Sequence, residues 1–289
     1  MVDNENKKEI ITYMPEDLQE ALEILDKDEV IILAGGTDLM VRRKSPSGLI
    51  PRFDKNTLFV NNLKELKNIY KDNSYINIGA GCTLSQISDN SIIPDYIKIV
   101  ISDFASLGIR NAATMVGNVC NASPAGDTLP LLYALNAKIV IKSLNEEKLV
   151  DIKDFITGPG RHILSKNEMV TEIKLPIEGF NKFYYKKVGT RKATAISKLS
   201  FVGIARVRED VVEDIRIAFG AVAAAVVKSD VIEKSIAGKT FKEIALIKDN
   251  IAAEYSNFIT PIDDQRSNKE YRKKVAINLL VDFLEHLNI

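Results

Sequence analysis

The chain has 289 residues, a length that predicts two domains or one large one. An apolar fraction of 46% and a charged fraction of 27% are typical of globular proteins, and they exclude disordered and fibrous classes. The 39 basic residues balance 39 acidic ones, which speaks against a nucleic-acid partner, and two cysteines are too few for an iron–sulfur cluster or a structural zinc site on this chain.

Helical and strand patterns alternate through the first half of the chain. Residues 17–25 carry apolar side chains at helical spacing, and residues 29–34 follow as a β-rich run that stops at a glycine pair. This half is therefore predicted to be α/β or α+β. The same criteria predict further helices at 39–43, 83–89, 95–107 and 128–135, and further strands at 58–61, 75–80, 138–142 and 169–175.

The pattern changes after residue 175. Three predicted strands, at residues 183–188, 201–208 and 212–227, precede a mainly helical segment that ends in an amphipathic helix over residues 270–287. A proline and a glycine interrupt the pattern at residues 176–181, so we predict a domain boundary there. The longest apolar run, residues 218–227, is too short to cross a bilayer, which predicts a soluble, cytoplasmic protein without a membrane segment.

The sequence AGGTDL at residues 34–39 is the first motif with chemical meaning. Paired glycines after a buried strand let backbone N–H groups approach an anion, and a following helix start adds its positive dipole end. The motif is neither a dinucleotide fingerprint nor a Walker loop, because the glycines that each requires are missing. A phosphate cradle and a plain strand-to-helix turn both remain open at this point.

Residues 114–127, TMVGNVCNASPAGD, form a second and unusually polar motif. Hydroxyls, amides and two glycines lie here between two apolar predicted helices, which indicates that something polar is bound. Backbone donors near Gly117 could face a second phosphate, and Asp127 could accept from a ribose hydroxyl. Asp127 could equally be the N-cap of the helix predicted from Thr128.

These motifs carry a resemblance to a known family. AGGTDL, the longer stretch TMVGNVCNASPAGDTLPLLYALNAKIVI, GPGRHIL and ITPIDDQRSNKEYRKKVA occur in family order. Together they resemble the FAD-binding medium subunits of molybdenum hydroxylases, the group of xanthine, carbon monoxide and nicotinate dehydrogenases. The resemblance implies an α+β fold with two domains. Residues 1–177 would form a two-lobed FAD-binding domain of the vanillyl-alcohol-oxidase/PCMH type, with lobes at 1–56 and 57–177. Residues 178–289 would form a smaller α+β C-terminal domain, made of a three-stranded sheet plus helices.

The resemblance also implies where FAD would bind. The two glycine-bearing motifs would hold its pyrophosphate, although Val116 stands where the family usually has a glycine, and Asp127 matches a family acid that binds a sugar hydroxyl of the cofactor. The predicted FAD-binding residues are Leu33, Ala34, Gly35, Gly36, Thr37, Asp38, Leu39, Phe104, Ala105, Thr114, Val116, Gly117, Asn118, Asn121, Ser123, Asp127, Val170 and Lys187.

Three of these residues have ordinary structural alternatives. Phe104 matches an aromatic beside the flavin, yet it also continues a helical stripe of apolar core positions. Val170 matches a residue at the flavin edge, and a buried strand valine is its other interpretation. Lys187 and Arg191 match a basic pair near the isoalloxazine, where a cation would raise the reduction potential, but a basic cluster is also typical of a solvated loop.

The resemblance implies an oxidoreductase subunit with no catalytic residue and no metal ligand of its own. It would hold FAD non-covalently, while molybdopterin and [2Fe-2S] clusters would lie on a large and a small partner subunit. Electrons would reach FAD from the small subunit and leave to an external acceptor, with NAD(P), ferredoxin and a quinone all open. A self-sufficient flavin reductase or oxidase of the same fold, and a scaffold without flavin, are the alternatives.

Overall fold

The computed structural model describes residues 9–44 and 53–288. Its strands are β1 (Thr12–Tyr13), β2 (Ile31–Leu33), β3 (Thr57–Phe59), β4 (Ile69–Lys71), β5 (Tyr75–Gly79), β6 (Lys138–Lys142), β7 (Glu147–Asp151), β8 (Ile156–Gly158), β9 (Arg161–His162), β10 (Met169–Pro176), β11 (Lys182–Val188), β12 (Leu199–Arg208) and β13 (Val211–Gly220). Its helices are α1 (Leu18–Lys27), α2 (Leu39–Arg42), α3 (Leu84–Asp89), α4 (Asp95–Ser102), α5 (Leu107–Arg110), α6 (Met115–Asn121), α7 (Leu129–Ala134), α8 (Ile152–Phe155), α9 (Asp230–Ile236), α10 (Phe241–Phe258) and α11 (Lys269–Glu285), with 3₁₀ turns at Lys64–Lys67 and His286–Asn288.

The first half of the chain consists of two lobes, each built on its own sheet. In the first lobe β3 pairs in parallel with β1 and with β2, and α1 buries Leu22 and Leu25. In the second lobe the sheet order is β4-β5-β10-β6-β7, with antiparallel pairing throughout. The short hairpin β8-β9 projects beside this second sheet, just before β10.

The C-terminal half is a three-stranded antiparallel sheet, β11-β12-β13, covered by helices α9 to α11. The central strand β12 is buried on both faces, because alternate residues point to opposite sides of a sheet. Val202 and Ile204 pack into the core of the first half, whereas Phe201 and Ala205 pack against the C-terminal helices. The C-terminal sheet therefore lies between the first half of the protein and the C-terminal helices.

Most predicted elements are confirmed within a residue or two, but two predictions are wrong. The helix predicted at 95–107 ends at Ser102, because Ala105 takes a left-handed conformation with φ of 43° and the chain turns. The strand predicted at 212–227 ends at Gly220 for the same reason, since Ala221 has φ of 60°, and only Val227 returns to pair with Phe219.

The second motif was not assigned a helix or a strand from the sequence. Half of it forms helix α6. The hydroxyl of Thr114 caps this helix by accepting the backbone N–H of Gly117 at 2.9 Å, and Met115 and Val119 are buried beneath it. Capping and burial thus offset the low helix propensity of glycine and asparagine.

Candidate functional site

A cavity of about 500 Å³ lies between the two lobes, a volume within the range of small-molecule and cofactor sites. Strand β2 and the AGGTDL loop form one wall, α6 forms another, and the segment from residue 160 to residue 170 closes the third side. Phe104 also contacts it. The cavity therefore collects both glycine-bearing motifs, although the 74 residues from 40 to 113 separate them in sequence.

The AGGTDL loop contacts the segment just before the second motif, and glycine is required at this crossing. A Cβ on Gly35 would lie 1.8 Å from the carbonyl oxygen of Ala112, so no side chain fits there. Gly36 has φ of 68°, a left-handed conformation that favours glycine. These two requirements explain why glycine stands at both positions.

Backbone donors line the cavity at this crossing. Among the residues that the structure describes, no acceptor is hydrogen-bonded to the backbone N–H groups of Gly35, Gly36, Thr37 or Asp38. A row of consecutive unpaired N–H groups on one concave loop forms an anion-binding nest. The chemistry of this donor set therefore fits a phosphate group.

Helix α6 presents its face of Val116, Gly117, Cys120 and Asn121 to the cavity. Asn118 also lines the cavity, and its Oδ1 accepts the hydroxyl of Thr128 at 2.7 Å. This hydrogen bond connects α6 to the start of α7 and so stabilises the position of the cavity wall. The small residues on the exposed face leave room for an elongated ligand along the helix.

Fourteen of the eighteen predicted FAD-binding residues line this cavity, and their role as FAD ligands stays a prediction. Val170 is at once a buried strand residue, 3% exposed, and part of the wall. Phe104 lies beyond the end of α4, and its carbonyl accepts from the guanidinium of Arg110 at 2.9 Å. The four residues that are not part of the lining are Ala105, Ser123, Asp127 and Lys187.

Asp127 and Lys187 form a buried ion pair at the junction of the two halves. Lys187 Nζ donates to Asp127 Oδ2 at 2.7 Å and to the carbonyl of Asp103 at 2.8 Å, and the hydroxyl of Ser197 donates to Asp127 Oδ1 at 2.6 Å. Burial raises the pKa of Asp127, and the ammonium of Lys187 opposes that rise. The N-cap interpretation of Asp127 is wrong, because Thr128 occupies the N-cap position of α7.

The other basic residue of that pair, Arg191, has a local role. Its Nε donates to the carbonyl of Ala193, and its Nη2 to that of Thr194. Both bonds close the exposed loop between β11 and β12 on itself. The solvated-loop interpretation therefore describes Arg191, whereas Lys187 is buried with only 8% of its side chain exposed.

Several cavity residues were not predicted from the sequence. Polar ones include Glu29, Cys120, His162, Lys166 and Glu168. Glu29 Oε2 accepts from Lys166 Nζ at 3.0 Å, which joins the first lobe to the segment before β10. Cys120 and His162 lie within quoted motifs, but no motif surrounds Glu29, Lys166 or Glu168, and the folding of the two lobes onto each other brings all five together.

The residues present fit FAD, with unpaired amide donors for its diphosphate and an elongated cavity for its two ring systems. Residues 7–178, more than half of the chain, match the family described as the FAD-binding domain in molybdopterin dehydrogenase. The chain belongs to this family. Residues 183–287 of this FAD-binding subunit match the C-terminal domain of carbon monoxide dehydrogenase flavoproteins.

Relatives of this FAD-binding subunit match it over most of their length. The glyceraldehyde dehydrogenase medium chain of Sulfolobus acidocaldarius is 32% identical, with 90% of this chain and 92% of that chain covered. The xanthine dehydrogenase FAD-binding subunit of Escherichia coli O157:H7 is 26% identical, with 88% of each chain covered. The chain is thus an oxidoreductase flavoprotein subunit of the molybdenum hydroxylase family.

Solved structures share the fold. Carbon monoxide dehydrogenase from Hydrogenophaga pseudoflava, in a form that lacks the Mo-pyranopterin moiety, superposes with a TM-score of 0.86 at 22% identity and covers 95% of this chain and 96% of that chain. Quinoline 2-oxidoreductase from Pseudomonas putida 86 superposes with a TM-score of 0.84 at 20% identity, with 96% of each chain covered.

The described residues contain neither a membrane-spanning helix nor a cluster of metal ligands. Within residues 9–44 and 53–288, no helix is both long and apolar enough to span a membrane. The same part of the chain contains no group of three or more histidine, cysteine, aspartate or glutamate residues that could hold a metal ion.

Proposed function

We propose that this subunit holds FAD non-covalently and relays electrons within a multi-subunit molybdopterin dehydrogenase. Electrons would arrive from the iron–sulfur clusters of a small subunit, after substrate oxidation at a molybdopterin-binding large subunit, and would leave to an external acceptor such as NAD(P) or ferredoxin. The names of the relatives, medium chain and FAD-binding subunit, support a place in such a complex. A cytoplasmic location stays a prediction.

The observation that carries this proposal is the row of unpaired amide donors at the crossing of the two glycine-bearing motifs. Gly36 and its neighbours would bind the diphosphate, and the contact between Gly35 and Ala112 holds the two motifs at a fixed distance. FAD, when bound, exchanges electrons singly or in pairs, which suits a junction between one-electron clusters and a two-electron acceptor. Phe104 would orient the ring at one end of the cavity.

The remaining site residues are proposed with different roles. Ala105 and Ser123 lie in turns that adjoin the cavity wall, and Ser123 Oγ accepts the N–H of Ala125. Asp127 and Lys187 would act beside the ring end, where Lys187 would favour electron uptake through its positive charge. Because Asp127 Oδ2 lies 2.7 Å from Lys187 Nζ, the carboxylate balances part of that positive charge, and the electrostatic effect on the ring would come from the pair together.

We also propose that the domains are residues 1–177, with lobes at 1–56 and 57–177, and residues 178–289. The interval between the two family matches, which end at residue 178 and begin at residue 183, supports this boundary. The burial of Val202 and Ile204 in the first core shows that the second domain still packs tightly on the first.

The proposal can be tested with the chain alone and with its genetic neighbours. The isolated chain should bind one FAD and contain neither iron nor molybdenum, and a co-expressed, cysteine-rich small subunit should co-purify with it. The separately reduced small subunit should then bleach the flavin absorbance of this chain. A chain that stays colourless after incubation with FAD would favour the scaffold alternative and refute the proposal.

The rival function is a self-sufficient flavin reductase or oxidase. It predicts that the isolated, flavin-loaded chain oxidises NAD(P)H or a small substrate and releases peroxide at a rate comparable to that of a complex. We expect the isolated chain to show no such turnover, and its flavin to be reduced by the reduced small subunit instead.

A further inference from the structure

His162 is a polar side chain in the cavity wall whose hydrogen bonding within the protein is incomplete. It lies on β9, and its ring stacks on Phe155 with the centroids 5.6 Å apart. Its Nδ1 is excluded from solvent and has no partner in the described part of the chain. A buried polar atom without a partner costs free energy, and the His162 side chain is one of the polar groups that line the cavity.

Helix α6 relates His162 to the crossing of the glycine-bearing motifs. At the start of α6, Gly35 packs against Ala112; at its end, the N–H of Gly160 donates to the carbonyl of Ala122 at 2.8 Å and fixes the β8-β9 hairpin. Seven helical residues separate these points, about 10 Å of helix rise. The distance suits a nucleoside that extends along α6 from a diphosphate held at the crossing.

The two ends of the cavity adjoin different parts of the protein. The His162 end adjoins the first lobe, because Lys166 and Glu29 form an ion pair beside it. The Phe104 end adjoins the C-terminal domain, since Lys187 donates to the carbonyl of Asp103, the residue before Phe104. The exposed apolar residues Leu107 and Ile109 follow Phe104, so the ring that must exchange electrons with other proteins suits that end.

We propose that His162 is a specificity-determining residue that hydrogen-bonds the adenosine half of FAD. This inference rests on the proposed binding of FAD. Burial lowers the pKa of His162, so its imidazole is neutral at pH 7 and offers one donor and one acceptor. The adenine edge offers the complementary pair, an amine donor beside ring-nitrogen acceptors.

The test measures the affinity of the apoprotein for FAD and for ADP, a fragment with the diphosphate and the adenosine but no flavin. His162→Phe keeps an aromatic ring over Phe155 and removes both nitrogens. Loss of one hydrogen bond should weaken FAD and ADP binding alike, by about three- to tenfold. His162→Asn, which retains a donor and an acceptor, should recover part of this loss.

The matched control is His286→Phe, at the only other histidine of the sequence. The side chain of His286 is half-exposed and lies after helix α11, away from the cavity lining. It should bind both ligands as the wild type does. Unchanged affinity of His162→Phe for both ligands, or a loss for FAD without a loss for ADP, would overturn the inference. If His162→Phe melts earlier than the wild type, the ligand affinity of His162→Asn decides between a binding and a structural role. A tenfold loss of affinity in His162→Asn, equal to that in His162→Phe, would indicate that His162 has a structural role. A wild-type chain that binds neither ligand would instead refute the proposed function.

Discussion

Gly36 is the residue on which the phosphate loop depends most. A valine there must adopt φ near 68°, which costs about 1 to 3 kcal/mol, and its Cβ would lie 3.0 Å from Leu33 Cδ1 and 3.3 Å from Met40 Cγ. We expect Gly36→Val to lose FAD on gel filtration, because the row of amide donors changes direction. The ratio of flavin to protein in the eluted peak measures this.

Gly238→Val is the matched control for that prediction. Gly238 also has positive φ, 83°, but it lies between α9 and α10, and no atom would lie within 4 Å of an added Cβ. The Gly238→Val variant should have comparable backbone strain and the same FAD-to-protein ratio as the wild type. Equal FAD content in both variants would contradict a role for Gly36 in the cradle.

Cys120 lies in the cavity wall but is a poor nucleophile. Burial raises the pKa of its thiol to about 12, so the reactive thiolate is absent at neutral pH. We therefore expect acid precipitation to release all the flavin into the supernatant, and Cys120→Ala to retain FAD. Flavin that stays in the wild-type pellet but leaves the Cys120→Ala pellet would show a covalent bond at this sulfur.

At the scale of elements, the contact between β13 and α9 makes stability depend on pH. Glu233, 6% exposed, accepts the N–H of Ile217 at 2.8 Å and the ammonium of Lys228 at 2.9 Å. Burial raises the pKa of Glu233 to about 7, against the opposing effect of Lys228. Between about pH 4.5 and pH 7 the folded state therefore binds more protons than the unfolded state, and the free energy of unfolding falls as pH rises.

Glu233→Gln removes this proton uptake. The stability of the wild type relative to Glu233→Gln should fall by up to about 3 kcal/mol from pH 4.5 to pH 7.5, as measured by urea unfolding. Glu243→Gln serves as a control, because hydrogen bonds from Thr240 lower the pKa of this exposed glutamate. Parallel pH profiles for the wild type and Glu233→Gln would contradict the prediction.

At the scale of the whole molecule, the Lys187–Asp127 pair links the C-terminal domain to the FAD-binding domain. Only 8% and 11% of the two side chains are exposed, and removing one partner of such a buried pair leaves an uncompensated charge. Lys187→Met and Asp127→Leu should each lower the free energy of unfolding of the apoprotein by about 3 kcal/mol or more. The double variant should lose clearly less than the sum, which denaturant unfolding of all four proteins measures.

The pair Lys248–Glu285, between α10 and α11 on the surface, provides a comparison cycle. Its coupling energy should be no more than about 1 kcal/mol, since solvent screens exposed ion pairs. Additive losses for Lys187→Met and Asp127→Leu would mean that the two residues stabilise the domains independently.

The sequence by itself determined the features that depend on neighbours along the chain. Apolar periodicity located most helices and strands, and a proline and a glycine marked the change of pattern near residue 176. The glycine pair at Gly35 and Gly36 was visible as a candidate phosphate cradle or strand-to-helix turn, because a missing side chain is a local property.

Only the tertiary structure decided the features that depend on distant residues. Ala105 and Ala221 end their elements in left-handed conformations that alanine does not favour; Ala221 is held by a hydrogen bond from its N–H to the carbonyl of Pro124. The polar motif became α6 because Met115 and Val119 could be buried under it. His162 and Lys187 acquired their surroundings from residues far away in sequence, since burial and ion pairing are set by packing and leave no local pattern to detect.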